Sequence, residues 1–461
     1  MIQSIHDFKK PFFIGIAGTG MSALAQYLQG IGKEVSGSDR YFAAGENNII
    51  QQQLEQEGIK CFLQNGEGIT DTTDLVIVSA AVEETVPEVV KARTMGIPIM
   101  QRSALLAMIA RSKKTIAVGG TSGKSTTSAM LFDILQHAGL DPGIISGAGL
   151  VRIMREGKIG NAWVGKGDWL VIEADESDGS IVLYEPEASI LLNIDKDHKE
   201  VDELMQIFQQ FQQNTRTHFV VNRSHPLTVK LSKNPSDDFS LDSADSSGYH
   251  ATDFHQEGMH IRFKINGTPF ALNAAGKHNM ENALAAATMA ACIGVSLGTS
   301  AAALTSYTGI YRRHQLLGKK DDLWVIDDYA HNPAKCAASI AACQPIAPKV
   351  IAWFQPHGFA PTRFLKDDFI HEIASVLREQ DEIWMSEIYY AGGTTVKDIS
   401  AAHLVQGIAQ RGKRAYFVAD RNQLLEAIRP HLTGPCVLLL MGARDPGLEI
   451  FAQGIWGKLR Q

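Results

Sequence analysis

Residues 119–126, Gly119-Gly120-Thr121-Ser122-Gly123-Lys124-Ser125-Thr126, constrain this chain more than any other stretch. An apolar, β-branched run, Thr115-Ile116-Ala117-Val118, precedes them and reads as a buried strand. After them Met130, Leu131, Ile134, Leu135 and Ala138 recur at helical spacing, which predicts a helix beginning near Lys124. Strand, glycine-rich turn and helix make up the context that a phosphate-binding loop requires. Glycines let backbone N–H groups close around phosphate oxygens, the helix N-terminus adds partial positive charge, and Lys124 adds a full one. Ser125 offers a hydroxyl to Mg²⁺. The usual first glycine of such loops falls at Val118, so this is a shorter Gly-Thr-x-Gly-Lys-Ser form. A nucleoside triphosphate is the expected ligand.

The 461 residues leave room for about three domains at ~150 residues each. An apolar content of 45% with 20% charged residues is that of a soluble globular chain. The net charge of -7 argues against a nucleic-acid partner, whose phosphates call for basic excess. Cys61, Cys292, Cys336, Cys343 and Cys436 are scattered, with no C-x-x-C and no ligand spacing. They predict neither a disulfide framework nor a zinc site, and they fit a reducing cytoplasm. The first residues lack the basic start and apolar core of a signal peptide, and no apolar run reaches the ~18 residues of a membrane span.

In chain order, Phe12-Phe13-Ile14-Gly15-Ile16-Ala17-Gly18-Thr19-Gly20-Met21 reads as a strand entering a glycine turn, with Leu24, Ala25 and Leu28 on one face of the next helix. Val35-Ser36-Gly37-Ser38-Asp39 reads as a second strand ending in an acid. That is the layout of a dinucleotide or nucleotide-sugar site, with the helix N-terminus on a pyrophosphate and the acid on a ribose. Taken alone it suggests a nicotinamide oxidoreductase. Further on, two apolar runs end in polar clusters: Ile172 leads into Glu173-Ala174-Asp175-Glu176-Ser177-Asp178, and Leu192 into Asn193-Ile194-Asp195-Lys196-Asp197-His198. In open α/β sheets ligands sit beyond the carboxyl ends of strands, where these residues fall. Glu173 is placed to help hold Mg²⁺, an oxygen-seeking ion.

Residues 231–257 turn polar and read as a surface excursion. Two strand-like runs then flank Asn266-Gly267, the preferred two-residue hairpin turn. Gly276-Lys277-His278-Asn279-Met280-Glu281-Asn282 opens an alanine-rich helix in which Asn279 and Asn282 share a face and suit a flat polar ligand such as adenine; Asn279 equally suits a cap. From Arg312-Arg313 onward, strands and helices alternate again, with polar strand ends at Asp327-Asp328-Tyr329-Ala330-His331, Gln355-Pro356-His357-Gly358 and Gly442-Ala443-Arg444-Asp445.

Taken in this order the pieces resemble the Mur ligases over essentially the whole chain, and within that family the branch that adds L-alanine. The resemblance rests on residues 15–22, 120–126, 173–178 and 193–198, on His278-Asn279-x-x-Asn282, on Arg312-Arg313, on residues 327–331 and on Phe354-Gln355-Pro356-His357. It replaces the oxidoreductase reading, because the first glycine turn then looks like a UDP-sugar site. The implied fold class is α/β in three domains: a Rossmann-like UDP-sugar domain at 1–110, a central P-loop ATP-binding domain at 111–311, and a Rossmann-like domain at 312–461 for the acceptor and for closure on the nucleotide.

The implied activity is that of an ATP- and Mg²⁺-dependent, ADP-forming ligase of peptidoglycan precursor synthesis. The carboxylate of UDP-N-acetylmuramic acid becomes an acyl phosphate, and the amine of L-alanine attacks it. By the same resemblance Lys124, Glu173, His198, Arg313, His331 and His357 look catalytic. Gly120, Thr121, Ser122, Gly123, Lys124, Ser125 and Thr126, with His278, Asn279, Asn282, Arg313 and Asp328, look nucleotide-binding. Ser125, Glu173 and His198 look like the metal side. Gly18, Thr19, Gly20, Met21, Ser22, Asp39, Ser79, Arg102, Asp175, Asp178 and Arg363 look substrate-binding. Several Mur ligases hold a second Mg²⁺ with a carbamylated lysine; no lysine follows Lys199 where it would fall.

The chain departs from the alanine-adding branch at Gly358 and Pro361, which stand where carboxylate-binding arginines are expected, and this leaves Arg363 or Arg444 for that task. Two alternatives stay open: the same chemistry on another amino acid or a recycled tripeptide, and a UDP-sugar-binding protein without ligase activity. The expected partners are small molecules alone, with no nucleic acid and no membrane, for a cytoplasmic monomer or dimer.

Overall fold

A computed structural model of the chain describes residues 2–42, 48–195, 200–242, 247–390 and 396–461. His198 lies outside the described residues. The chain divides into two compact units: the first comprises Met1–Thr252, Lys264–Phe270 and Glu281–Ile310, the second Asp253–Phe263, Ala271–Met280 and Tyr311–Gln461.

The first unit holds two sheets. One consists of β1 (Pro11–Ile14), β2 (Ser36–Asp39), β3 (Lys60–Leu63), β4 (Leu75–Val78) and β5 (Ile99–Gln101), in the order β3-β2-β1-β4-β5. All its pairings are parallel, which is the doubly wound pattern the glycine turn predicted. The other consists of β6 (Lys114–Gly119), β7 (Gly143–Ile145), β8 (Ala162–Trp163), β9 (Trp169–Glu173), β10 (Ala188–Leu191) and β11 (His218–Val221), in the order β11-β10-β6-β9-β7-β8. Only β8 runs antiparallel to its neighbour.

Strand β6 explains its own position. Ile116, Ala117 and Val118 are fully buried between β10 and β9, as an apolar β-branched run must be in a parallel sheet covered on both faces. Its buried hydroxyl, Thr115 Oγ1, donates to the Ala110 carbonyl at 2.7 Å.

The two sheets are fastened by Asn161, which is fully buried beside β8. Its Nδ2 donates to the Thr19 carbonyl at 2.8 Å and to Ser22 Oγ at 2.9 Å. Its Oδ1 accepts from Gln26 Nε2 at 2.7 Å, so the edge of the second sheet grips the helix Thr19–Gly30 of the first.

A four-stranded sheet contains β12 (Phe239–Ser240), β13 (Tyr249–Glu257), β14 (His260–Ile265) and β15 (Thr268–Leu272) in sequence order. The surface excursion expected at 231–257 is therefore corrected over its second half, where alternating half-buried and exposed side chains form β13. The predicted hairpin is present. Asn266 and Gly267 turn with φ of 44° and 81°, the double left-handed conformation that Asn-Gly adopts at little cost.

The second unit is built on β16 (Gln315–Lys320), β17 (Leu323–Asp328), β18 (Lys349–Gln355), β19 (Glu382–Met385), β20 (Arg414–Phe417) and β21 (Cys436–Gly442), in the order β16-β17-β21-β18-β19-β20. Apart from β16 the strands are parallel. The carboxyl ends of β17, β21 and β18 therefore lie side by side, with Asp328 opposite Met441 and Gln355 opposite Gly442.

Asn161→Ala strands buried donors and acceptors on two elements, each costing about 1–3 kcal/mol. Urea unfolding of the variant should show a lower midpoint, and an unchanged midpoint would mean that Asn161 does not fasten the sheets.

Candidate active site

In the first unit the turn after β6 and the helix Lys124–His137 form the expected loop. Gly120 and Gly123 have φ of 133° and 85°, and a Cβ on Gly123 would lie 2.5 Å from Asn282 Oδ1, so neither position accepts a side chain without strain. Thr121 and Ser122 are tied down from the end of β10. Thr121 Oγ1 donates to Asn193 Oδ1 at 2.9 Å, and the Ser122 N–H donates to the same oxygen at 2.8 Å. The Thr121 hydroxyl also accepts the Asp195 N–H at 3.0 Å. Asn282 Oδ1 accepts from Thr127 Oγ1 at 3.2 Å and so braces the start of the helix.

Lys124 reaches back over this loop. Its Nζ donates to the Gly120 carbonyl and to Glu176 Oε2, both at 2.7 Å, and lies 3.6 Å from Asp175 Oδ1. Burial opposes the ammonium charge, but Glu176, Asp175 and Glu173 outweigh it and hold the Lys124 pKa above its ordinary value. Glu173, the last residue of β9, accepts at Oε2 from Ser125 Oγ at 3.0 Å. Its Oε1 is fixed by Ser146 Oγ at 2.7 Å and by the Gly147 N–H at 2.6 Å. Ser146 and Glu176 were not among the expected site residues. Ser146 follows the short strand β7 in Ser-Gly-Ala-Gly, a polar strand end of the kind that marked the other clusters.

The first glycine turn sits at the carboxyl end of β1. The Gly15 and Ile16 N–H groups donate to the Ser38 carbonyl, and Asp39 accepts from the Ala17 N–H at 2.9 Å and the Tyr41 N–H at 3.0 Å. Asp39 thus braces the turn and is almost fully buried. Ser79 lies just beyond β4, the neighbour of β1. Two of the expected substrate residues turn inward. The Met21 side chain joins the apolar core, and Ser22 Oγ is taken up by Thr19 and Asn161, so they offer a ligand their backbone only.

Arg102 joins the two turns. A Cβ on Gly20 would meet its guanidinium group at 3.3 Å, and its Nη2 donates to Asp178 Oδ2 at 3.1 Å. From Gly20 the polar groups run through Arg102 to Asp178 and, two residues on from Asp175–Glu176, to Lys124.

In the second unit Arg312 makes a bidentate pair with Asp327, Nε to Oδ2 at 2.9 Å and Nη2 to Oδ1 at 3.2 Å, and donates to the Gly442 carbonyl at 3.0 Å. The Arg313 guanidinium lies over the Tyr329 ring at 4.4 Å. His331 stands between rings, with centroids 5.6 Å from Tyr329 and 5.7 Å from His357, and its Nδ1 lies 2.9 Å from the Tyr329 carbonyl.

Asp328 is held by Ser339 Oγ at 2.6 Å and lies 3.7 Å from His314 Nδ1, while His314 Nε2 lies 3.6 Å from Cys343 Sγ. His314, Ser339 and Cys343 carry no motif, and the sequence reading missed them. His278 faces the His314 ring edge-on at 6.2 Å; burial and the His314 charge pull its pKa down to about 4, leaving a neutral imidazole. Asn279 Nδ2 donates to the Ala275 carbonyl at 2.7 Å, so the two asparagine amides of this helix have separate partners. Arg363 is engaged by Asp398, Nε to Oδ1 at 2.8 Å, and by the Val396 carbonyl at 2.9 Å.

These features define a multi-domain α/β nucleotide-binding protein with a phosphate loop and a second glycine turn at the end of a parallel strand. The chain belongs to the Mur ligase family. Family models described as "Mur ligase family, catalytic domain", "Mur ligase middle domain" and "Mur ligase, glutamate ligase domain" match residues 12–114, 118–290 and 312–444. It is 34% identical over 447 residues to a UDP-N-acetylmuramate--L-alanine ligase of Gloeobacter violaceus, covering 94% of this chain and 92% of that one. A protein of the same name from Xanthomonas oryzae pv. oryzae is 34% identical over 464 residues, covering 96% and 94%. Among solved structures, the UDP-N-acetylmuramate-alanine ligase MurC of Thermotoga maritima superposes with a TM-score of 0.78 at 26% identity, covering 98% of this chain and 99% of that one.

The buried His314–Asp328 pair gives a pH test. Burial would lower the His314 pKa, but Cys343 and Asp328 hold it up at about 10, and His314 in turn holds Asp328 down to about 2. The stability carried by the His314 charge is therefore complete below its ordinary 6.5 and is lost as pH rises through about 10. His314→Gln should cost about 3–5 kcal/mol at neutral pH by leaving Asp328 buried without its cation. It should also flatten the fall in stability between pH 6.5 and about 10. Denaturant unfolding across that range checks both, and an unchanged slope would contradict the pairing.

Proposed function

We propose that this chain is an ATP-dependent, ADP-forming ligase that joins the carboxylate of UDP-N-acetylmuramic acid to L-alanine through an acyl phosphate, in peptidoglycan precursor synthesis. The observation that carries the reading is the line of charge in the first unit from the glycine turn through Arg102–Asp178 to Asp175–Lys124. A nucleotide sugar on the first turn and ATP on the phosphate loop would then present donor carboxylate and γ-phosphate to the same cluster of charges. The chain's similarity to named alanine ligases over nearly its full length supports the choice of substrates.

The residues supply what phosphoryl transfer needs, which is positioning and charge neutralisation more than covalent chemistry. Lys124 is cationic, fixed at the loop and already desolvated, so its charge acts on a phosphate with little screening. The donor set beside it fits Mg²⁺: the Ser125 hydroxyl and the Glu173 carboxylate are hard oxygens, and Ser146 with Gly147 orients the latter. When bound, Mg²⁺ supplies further positive charge against the phosphate oxygens. His198 is proposed for the same side from the family resemblance alone. Arg313, His331 and His357, at strand ends of the second unit, are proposed to act on the later steps. The free state of all five cysteines supports a reducing, cytoplasmic setting, and no helix among the described residues is long and apolar enough to cross a membrane.

One observation favours a second reading for the acceptor. Gly358 has φ of 74°, a backbone that an arginine rarely adopts, and Arg363 is engaged by Asp398. The same chemistry on another amine is then the alternative.

Phosphate release from ATP and Mg²⁺ with UDP-N-acetylmuramic acid, measured across single amino acids and short peptides, should depend on L-alanine. Release with another amine alone would shift the assignment to the second reading, and no release with any would sink both. Lys124→Ala should abolish release while the fold stays intact by circular dichroism. Arg102→Ala should raise the KM for the UDP-sugar about tenfold or more, the loss of one charged contact of ~1.4 kcal/mol or more, with little change for ATP. The reverse pattern would exchange the roles of the two turns.

A further inference from the structure

His218, Asp237 and Cys292 meet in the first unit, although nothing in their spacing announces it. His218 opens the edge strand β11, Asp237 precedes β12, and Cys292 ends the helix Lys277–Cys292. His218 Nδ1 lies 2.8 Å from Asp237 Oδ2, and the ligand atoms of all three residues lie within 4.8 Å of one another. Among the described residues no other three His, Cys, Asp or Glu side chains converge in this way.

We propose that this trio is a binding site for a thiophilic divalent cation of the zinc class. His218 Nδ1, an Asp237 carboxylate oxygen and the Cys292 thiolate hold the ion, and water takes the fourth position. Imidazole and thiolate donors select zinc-like ions over Mg²⁺ and Ca²⁺, which prefer all-oxygen sets. Three protein ligands with an open fourth position form a familiar zinc arrangement.

Zinc bonds of ~2.0–2.3 Å set tetrahedral neighbours about 3.3–3.8 Å apart, so the His–Asp pair must open and the longest gap close by about 1 Å. Side-chain exposures of 34% for His218 and 25% for Asp237 leave room for both movements and for the water. On coordination the Cys292 S–H bond breaks, its proton passes to solvent, and a metal–sulfur bond forms. A bound dication deprotonates a coordinating thiol, so the sulfur enters the site as thiolate.

The place is remote from the phosphate loop. Through β10, His218 is level with Ile116 near the start of β6, whereas the loop follows Gly119 at the other end, about 10 Å along the strand direction and two strands across. The ion therefore clips the end of the helix Lys277–Cys292 to the sheet edge and stabilises the first unit without entering the chemistry.

The test uses the full-length protein stripped with chelator, then titrated with Zn²⁺ in excess Mg²⁺ against a chromophoric competitor, and in parallel with Co²⁺. The expected result is one tight equivalent of zinc, a melting temperature raised by several degrees, and a thiolate-to-cobalt charge-transfer band. Cys292→Ser should abolish the band and weaken zinc binding at least about tenfold, while ATP-dependent phosphate release stays unchanged. Asp237→Asn, which preserves shape, should weaken binding without unfolding the site. Absence of the cobalt–thiolate band in the wild type, or zinc affinity undiminished in both variants, would overturn the proposal.

Discussion

The active-site arrangement depends on a largely buried ammonium group, with 15% of the Lys124 side chain exposed. Lys124 follows a glycine-rich loop that offers it one carbonyl, Gly120, and an unpaired lysine charge in that position would be expelled or neutralised. What keeps it charged is the neighbouring strand. The β6–β9 register sets Val118 beside Glu173, so the residues that follow Glu173 carry Asp175 and Glu176 over the loop to meet Nζ. The pairing also defines the binding equilibrium. An incoming phosphate does not have to desolvate the lysine, because burial has already done so; it has to compete with carboxylates for a cation that is in place.

Both halves of the first unit use the same device at different scales. In each, a parallel strand buried on both faces ends in glycines, a helix starts, and a strand adjacent in the sheet delivers an acid. At the first turn Asp39 spends its carboxylate on the Ala17 and Tyr41 N–H groups, stiffening the backbone that a pyrophosphate would meet. At the second, the acids are spent on Lys124 and Ser125. Arg102, seated against Gly20 and paired with Asp178, couples the two, and the closeness of that packing is what the absence of a side chain at Gly20 permits.

What could be read in the sequence was local. The phosphate loop, its flanking strand and helix, the Asn266-Gly267 turn and the polar strand ends are encoded by consecutive residues whose backbone demands are specific. The partners that make those elements work were not legible. Asn161 reaches back to Thr19 and Ser22 across more than a hundred positions, Ser146 orients Glu173 from a three-residue strand, and His314 holds Asp328 with no motif around it. At Met21, inside a recognisable turn, the helical period carries the side chain into the core, which leaves the backbone as the group a ligand on that turn could meet. Pattern fixes where a backbone turns; which side chains face each other is decided by sheet order and register.

The acceptor end turns on the difference between two arginine pairs. Arg312 is buried with Asp327 in a two-pronged contact and also holds the Gly442 carbonyl, so removing it would leave a carboxylate stranded in a dry site. It is fixed scaffolding. Arg363 also faces a carboxylate, but both partners are about half exposed, at 43% and 52%. Exposed pairs of this kind are worth about 0.2–1 kcal/mol, so another carboxylate can displace Asp398 at small cost. Gly358, with its left-handed backbone, stands where an arginine is expected, and Arg363, at the last turn of the helix Phe359–Phe364, is held by this exposed pair and by the Val396 carbonyl, so its guanidinium is far more exchangeable than that of Arg312.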